Sequence, residues 1–87
     1  MILQPALGVI TFIGEERESA KGYKYRQIGL AVDSEAFVAT VFSGVSNYIG
    51  SFANKGSKIF IENWTITKKT IDNIDKYDII ISKAKLT

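Results

Sequence analysis

The sequence predicts an all-β fold, a small β-barrel with one short helix in the order β-β-β-α-β-β. Apolar residues recur mostly with period two and are rich in Ile, Val, Thr, Phe and Tyr, side chains that suit a pleated sheet. One stretch, GVSNYIGSFANKG, switches to helical spacing. The chain has 87 residues, 46% of them hydrophobic, which suits one domain over residues 1–87 and leaves no room for a second core.

The first strand reads from Leu7 to Glu18, with Val9, Thr11 and Ile13 on one face and Ile10 and Phe12 on the other. A strand apolar on both faces is one that curls within a barrel, and Gly14 is the expected bulge. The second strand runs from Tyr23 to Val32. Its inward row is Ile28, Leu30 and Val32, with Tyr25, Gln27, Gly29 and Ala31 opposite. Asp33-Ser34-Glu35 turns the chain into a third strand, Ala36 to Phe42, which makes a hairpin.

In the helix, Val45, Tyr48, Ile49 and Phe52 fall at i, i+3, i+4 and i+7. Ser46 is the expected N-cap and Gly56 the expected C-terminal cap, while Gly50 keeps the helix short. A fourth strand is expected from Lys58 to Thr67 and a fifth from Tyr77 to Lys85, joined by the long charged connection KKTIDNIDK. A single helix between the third and fourth of five strands is the order of the OB-fold; an SH3-like barrel, which needs no helix, is the alternative.

Composition excludes much. With no cysteine and no histidine there is no disulfide, no thiolate metal site, no thiol nucleophile and no imidazole base. No nucleophile–base pair can be assembled, the carboxylates lie in lysine-rich sequence, and no phosphate-binding P-loop pattern occurs. The expectation is a protein that is not an enzyme and carries no cofactor or metal. MILQPALGVITFIGEE lacks the basic start and cleavage site of a signal peptide, and no segment approaches the ~20 apolar residues of a membrane span, so a cytoplasmic location is expected. The net charge of +2 is too small to argue a nucleic-acid partner unless position supports it.

Two stretches carry a resemblance: TVFSG, Thr40 to Gly44, and ANKGSKIFIEN, Ala53 to Asn63. The segment from Glu35 to Lys69 resembles the bacterial single-stranded DNA-binding protein family. In that family a strand ending near a phenylalanine leads into a short helix, a KGS-type turn and a strand of the V-Y-I-E-G kind. Here Lys55-Gly56-Ser57 and Ile59-Phe60-Ile61-Glu62-Asn63 fill those places, and Tyr77 with the isoleucines after it resembles the last strand. Ser19, Gly22 and Tyr25 also match the S-x-x-G-x-x-Y wing of filamentous-phage single-stranded DNA-binding proteins. There are departures. Ala36 stands where the bacterial family often has a stacking tryptophan, and Asn63 replaces a glycine. The ending Lys83-Ala84-Lys85-Leu86-Thr87 lacks the family's linker and acidic tip.

A binder of single strands needs cations along a groove and flat side chains for bases to stack on. OB-folds usually place these on the second and third strands and the flanking loops. The first such loop holds Lys21, Tyr23, Lys24, Tyr25 and Arg26, which read equally as a soluble hairpin. Phe42 is a binding residue by the resemblance and a core residue by pattern alone. Trp64, just past an expected bulge at Asn63, is open between stacking, core and subunit contact, and Phe60, outside the Ile59–Ile61 row, between DNA and another subunit. Lys68 and Lys69 in the second loop either meet phosphates or are solvated surface. Glu15, Glu16 and Glu18 argue against DNA on that part of the first strand and suit a subunit contact.

The reading is a single-stranded DNA-binding protein with little sequence preference, acting in replication or recombination of a virus or mobile element. RNA is a further possible ligand. So small a domain buries only about 60% of its unfolded surface, so a homodimer or homotetramer is expected. The alternative function is an OB-fold protein-interaction module, a replisome accessory or assembly subunit.

Overall fold

A computed structural model describes residues 2–87. The strands are β1 (Ile2–Leu3), β2 (Ala6–Ile13), β3 (Arg17–Glu18), β4 (Lys24–Val32), β5 (Glu35–Phe42), β6 (Lys58–Ile71) and β7 (Ile74–Leu86), with helix α1 (Ser43–Phe52) between β5 and β6. The sheet runs β1-β6-β2-β4-β5-β7, and pairing of β6 with β7 closes five of these strands into a ring. All neighbours are antiparallel except β5 and β7, which meet in parallel at Thr40–Ile80 and Val41–Ile81. This is the OB-fold, as expected.

Ile10, Ile28, Leu30, Val41, Ile49, Ile59, Ile61 and Ile81 fill the interior and are almost wholly buried. Burial of each such side chain contributes about 1.5–3 kcal/mol. The helix closes one end of the ring, packing on β4, β5 and β7 through Val45, Tyr48 and Ile49. The Tyr48 hydroxyl accepts a 3.0 Å bond from the Leu86 N–H, which fixes the helix to the last strand.

Several expected boundaries move. The first strand ends at Ile13, and Arg17–Glu18 forms a separate short strand on β4. The bulge lies at Thr11, where the register slips between Ile10 and Phe12, and not at Gly14. Phe12 consequently leaves the face of Ile10, with which alternation had grouped it. Asp33 and Ser34 alone make the β4–β5 turn, both with positive φ, as a two-residue turn between twisted strands requires.

The helix begins at Ser43 with Phe42 at its N-cap and ends at Phe52 with Ala53 as its C-cap. Ser46 is therefore not a cap but a buried residue inside the helix, and Phe52 is largely exposed. Gly56, with φ of +93°, instead shapes the turn that follows. There the Gly56 N–H donates to the Ile10 carbonyl at 2.7 Å, and the Ile10 N–H donates to the Ser57 carbonyl at 2.9 Å. The charged connection KKTIDNIDK is no loop. It belongs to β6 and β7, which pair down to Ile71–Ile74 around the positive-φ residues Asp72 and Asn73.

Candidate nucleic-acid interface

The β4–β5 turn sets a register that opposes Tyr25 to Phe42, Gln27 to Thr40, Gly29 to Val38 and Ala31 to Ala36. Alternate residues Ile28, Leu30, Ala39 and Val41 are buried, so the opposed set lies on the outer face. The Tyr25 and Phe42 rings sit 6.0 Å apart, tilted by 43°, and Phe42 keeps 38% of its surface exposed. Phe42 is thus an outer-face residue rather than core.

The loop before β4 is shaped by its own polar groups. The Tyr23 N–H donates to Ser19 Oγ at 3.0 Å, and the Ser19 N–H donates to the Tyr23 carbonyl at 2.8 Å. Gly22 adopts a φ of +87°, which a side chain would strain. Ser19 and Gly22 therefore make the turn. Lys21, Tyr23 and Lys24 project from it exposed, and among the described residues neither lysine forms an ion pair. Tyr23 and Lys24 border an open depression of about 420 Å³ with Ser43, Gly44 and Asn47 of the helix start, and Glu16 is on its rim.

Arg26 leaves this group. Its Nε donates to Ser46 Oγ at 3.0 Å and its Nη1 to the Gly14 carbonyl at 3.4 Å. Its guanidinium also lies on Gly50, where an added Cβ would overlap it. Arg26 ties β4 to the helix and to the end of β2.

Lys68 and Lys69 stand on the arm that β6 and β7 form beyond Thr65 and Ile80. They alternate, so they face opposite sides. Lys69 shares the face of Thr65 and Ile80, which continues the outer face through Thr40, while Lys68 lies on the reverse. Each is ion-paired, Lys68 with Asp75 at 3.3 Å and Lys69 with Asp78 at 3.4 Å.

Trp64 belongs to the core. It is 7% exposed, stacks on Phe37 at 5.5 Å, and donates from Nε1 to the Gln4 carbonyl at 2.6 Å. The register slips on both sides of Asn63, and the bulge turns the indole inward. Phe60 faces outward on the other side of the ring, opposite Leu7, with Lys85 Nζ 5.9 Å from its ring centre.

Phe12 and Val38 join Tyr25 and Phe42 on the outer face, 44% and 48% exposed. No expectation from the sequence placed Phe12 there, because its facing depends on the Thr11 bulge. A run of β-branched residues gave no sign of that bulge. Among the described residues no cluster of acidic side chains could hold a metal ion, and no helix is long and apolar enough to cross a membrane.

No protein-family model and no curated protein matches the chain in sequence. Solved structures do match. A mitochondrial single-stranded DNA-binding protein of S. cerevisiae superposes with a TM-score of 0.83 at 16% identity, over 99% of this chain and 94% of that one. The single-stranded DNA-binding protein of Thermus aquaticus gives 0.75 at 12% identity, over 99% of this chain and 48% of that one. A small single-stranded DNA-binding protein of Streptomyces coelicolor gives 0.64 at 8% identity, over 100% and 94%.

Proposed function

We propose that this chain binds single-stranded DNA through the outer face of β4 and β5, with little sequence preference, in replication or recombination. The observation that carries the reading is the outward Tyr25–Phe42 pair beside Lys21 and Lys24, which form no ion pair among the described residues. Bases stack on Tyr25, Phe42 and Tyr23, and phosphates meet the two lysines. Every base has a π-face, so such a surface discriminates weakly among sequences. The solved structures it resembles, each named for binding single-stranded DNA, support the same reading. One barrel covers few nucleotides, so the working form is a dimer or tetramer.

The test is a titration of labelled oligo-dT at two salt concentrations, read by anisotropy. Binding that weakens with salt, and weakens again in Tyr25→Ala, supports the reading. No binding at low salt with high micromolar protein would sink it. The exposed Val38 and Ala36 favour one second reading, a protein partner on the same face. Failure to bind either oligo-dT or oligo-U would leave that reading in place.

A further inference from the structure

We infer that the nucleic-acid track leaves the Tyr25–Phe42 pair across β4 onto β2, where Phe12 stacks a further base and Lys58 meets a phosphate beyond it. The inference rests on the single-stranded DNA reading of the outer face and adds its direction.

Phe12 is built into that face. The KGS turn holds both backbone groups of Ile10, through Gly56 and Ser57. The chain bulges at the next residue, and Phe12 emerges opposite Gly29 on the outer side. Gly29 has no side chain, and the Phe12 ring lies directly on its backbone: a Cβ at position 29 would overlap the ring and Thr11 Oγ1. The ring is therefore held against the sheet with its other side open to solvent, which suits stacking. Tyr25 and Gly29 are four residues apart on β4, about 13 Å, so the two stacking points serve different nucleotides.

Charge sets the direction. Toward the β6–β7 arm, Lys68, Lys69 and Lys76 are balanced by Asp72, Asp75 and Asp78, with two of the lysines already ion-paired. That arm offers a phosphate chain no net attraction. Toward β2 the outer face continues through Val9, the Cα partner of both Ala31 and Lys58. Leu7, Val9, Ala31 and Lys58 line a shallow depression of about 380 Å³ there. Lys58 forms no ion pair among the described residues. Asp33, at the β4–β5 turn, borders the same depression and bounds the track on that side by repelling phosphate.

The experiment uses fluorescein-labelled oligo-dT of graded length with the full chain and its Phe12→Leu, Phe12→Tyr, Lys58→Gln and Tyr25→Ala variants, all checked for an unchanged melting transition. Phe12→Leu keeps apolar bulk but loses the ring. It should lower affinity about 10-fold for long oligomers and hardly at all for the shortest that bind, whereas Phe12→Tyr retains affinity. Lys58→Gln should reduce the slope of log affinity against log salt by about 0.7. If Tyr25→Ala weakens binding while Phe12→Leu and Lys58→Gln match the parent at every length, the track does not cross β2 and the inference is wrong. Loss of all binding by the parent chain is the separate outcome that removes the single-stranded DNA reading, and this inference with it.

Discussion

Tyr25 and Phe42 occupy directly opposed positions on β4 and β5, their ring centres 6.0 Å apart on the outer face of the barrel. Each ring orients the other, so the pair should act as a unit. Tyr25→Ala and Phe42→Ala should each weaken oligo-dT binding by about 1–2 kcal/mol. The double variant should lose less than the sum, since the first truncation already frees the remaining ring. A double-mutant cycle by anisotropy measures this coupling. Strict additivity would mean that the rings bind bases independently. Tyr25→Phe should stay within about twofold, because the face and not the hydroxyl is used.

The only tryptophan is a structural reporter and not a ligand reporter. Its indole is enclosed by Phe37 and held by the Gln4 carbonyl. Oligo-dT should leave the position of the tryptophan emission unchanged while quenching tyrosine emission. Trp64→Phe should destabilise by about 2 kcal/mol, from lost packing and the lost bond to the Gln4 carbonyl, and lower the melting temperature by roughly 8–16 °C. A large red shift of tryptophan emission on binding would place the indole at the interface instead.

What the sequence made legible follows from which signals are local. Period-two runs and one helical stretch made the element order of a small barrel legible, because burial enforces alternation along each strand. The outward facing of Tyr25 was legible from the inward row Ile28 and Leu30. Phe12 was not, because one extra residue at Thr11 reverses every facing that follows. Arg26 read as a surface cation, since nothing near it in sequence shows Ser46, twenty residues on, on the buried side of the helix. The β6–β7 arm read as a loop because charged residues on both faces of a two-stranded ribbon leave no apolar alternation to detect.

The lysines divide by what already neutralises them. Lys21 and Lys24 have no acidic partner among the described residues, whereas Lys68 and Lys69 must break ion pairs before meeting phosphate. Replacing Lys21 and Lys24 together by Gln should reduce the salt slope of single-strand binding by about 1.4. The same change at Lys68 and Lys69 should reduce it by clearly less. Titrations between 50 and 200 mM salt, a range in which the slope is well determined, decide it. Equal effects of the two pairs would bring the arm into the interface.

The β4–β5 turn can be improved without touching the site. Asp33 and Ser34 adopt φ values of 50° and 69°, where a side chain on a non-glycine residue is crowded. Ser34→Gly relieves that crowding in the conformation a two-residue hairpin needs. It should stabilise the fold by about 0.5–1 kcal/mol, read as a rise of roughly 2–8 °C in melting temperature, with oligo-dT affinity unchanged. A fall in stability would show that the added chain freedom outweighs the relief.

Arg26, Ser46 and Gly50 form one packed group, and their substitutions should not add. Ser46 is wholly buried and its hydroxyl accepts from Arg26 Nε. Arg26→Ala leaves that hydroxyl without its donor and the Gly14 carbonyl without Nη1, a loss of about 1–3 kcal/mol. Gly50→Ala alone should also destabilise, because the new Cβ meets the guanidinium, even though alanine is the better helix former by about 1 kcal/mol. In the Arg26→Ala background the obstruction is gone, and Gly50→Ala should become stabilising. Denaturant melts of the two single variants and the double variant test for this reversal of sign. If Gly50→Ala destabilises equally in both backgrounds, Arg26 is not what requires glycine there. The salt slope of oligo-dT binding supplies the second readout. It should be unchanged in Arg26→Ala, since a guanidinium turned toward Ser46 and Gly14 neutralises no phosphate and so displaces no counterion from the strand.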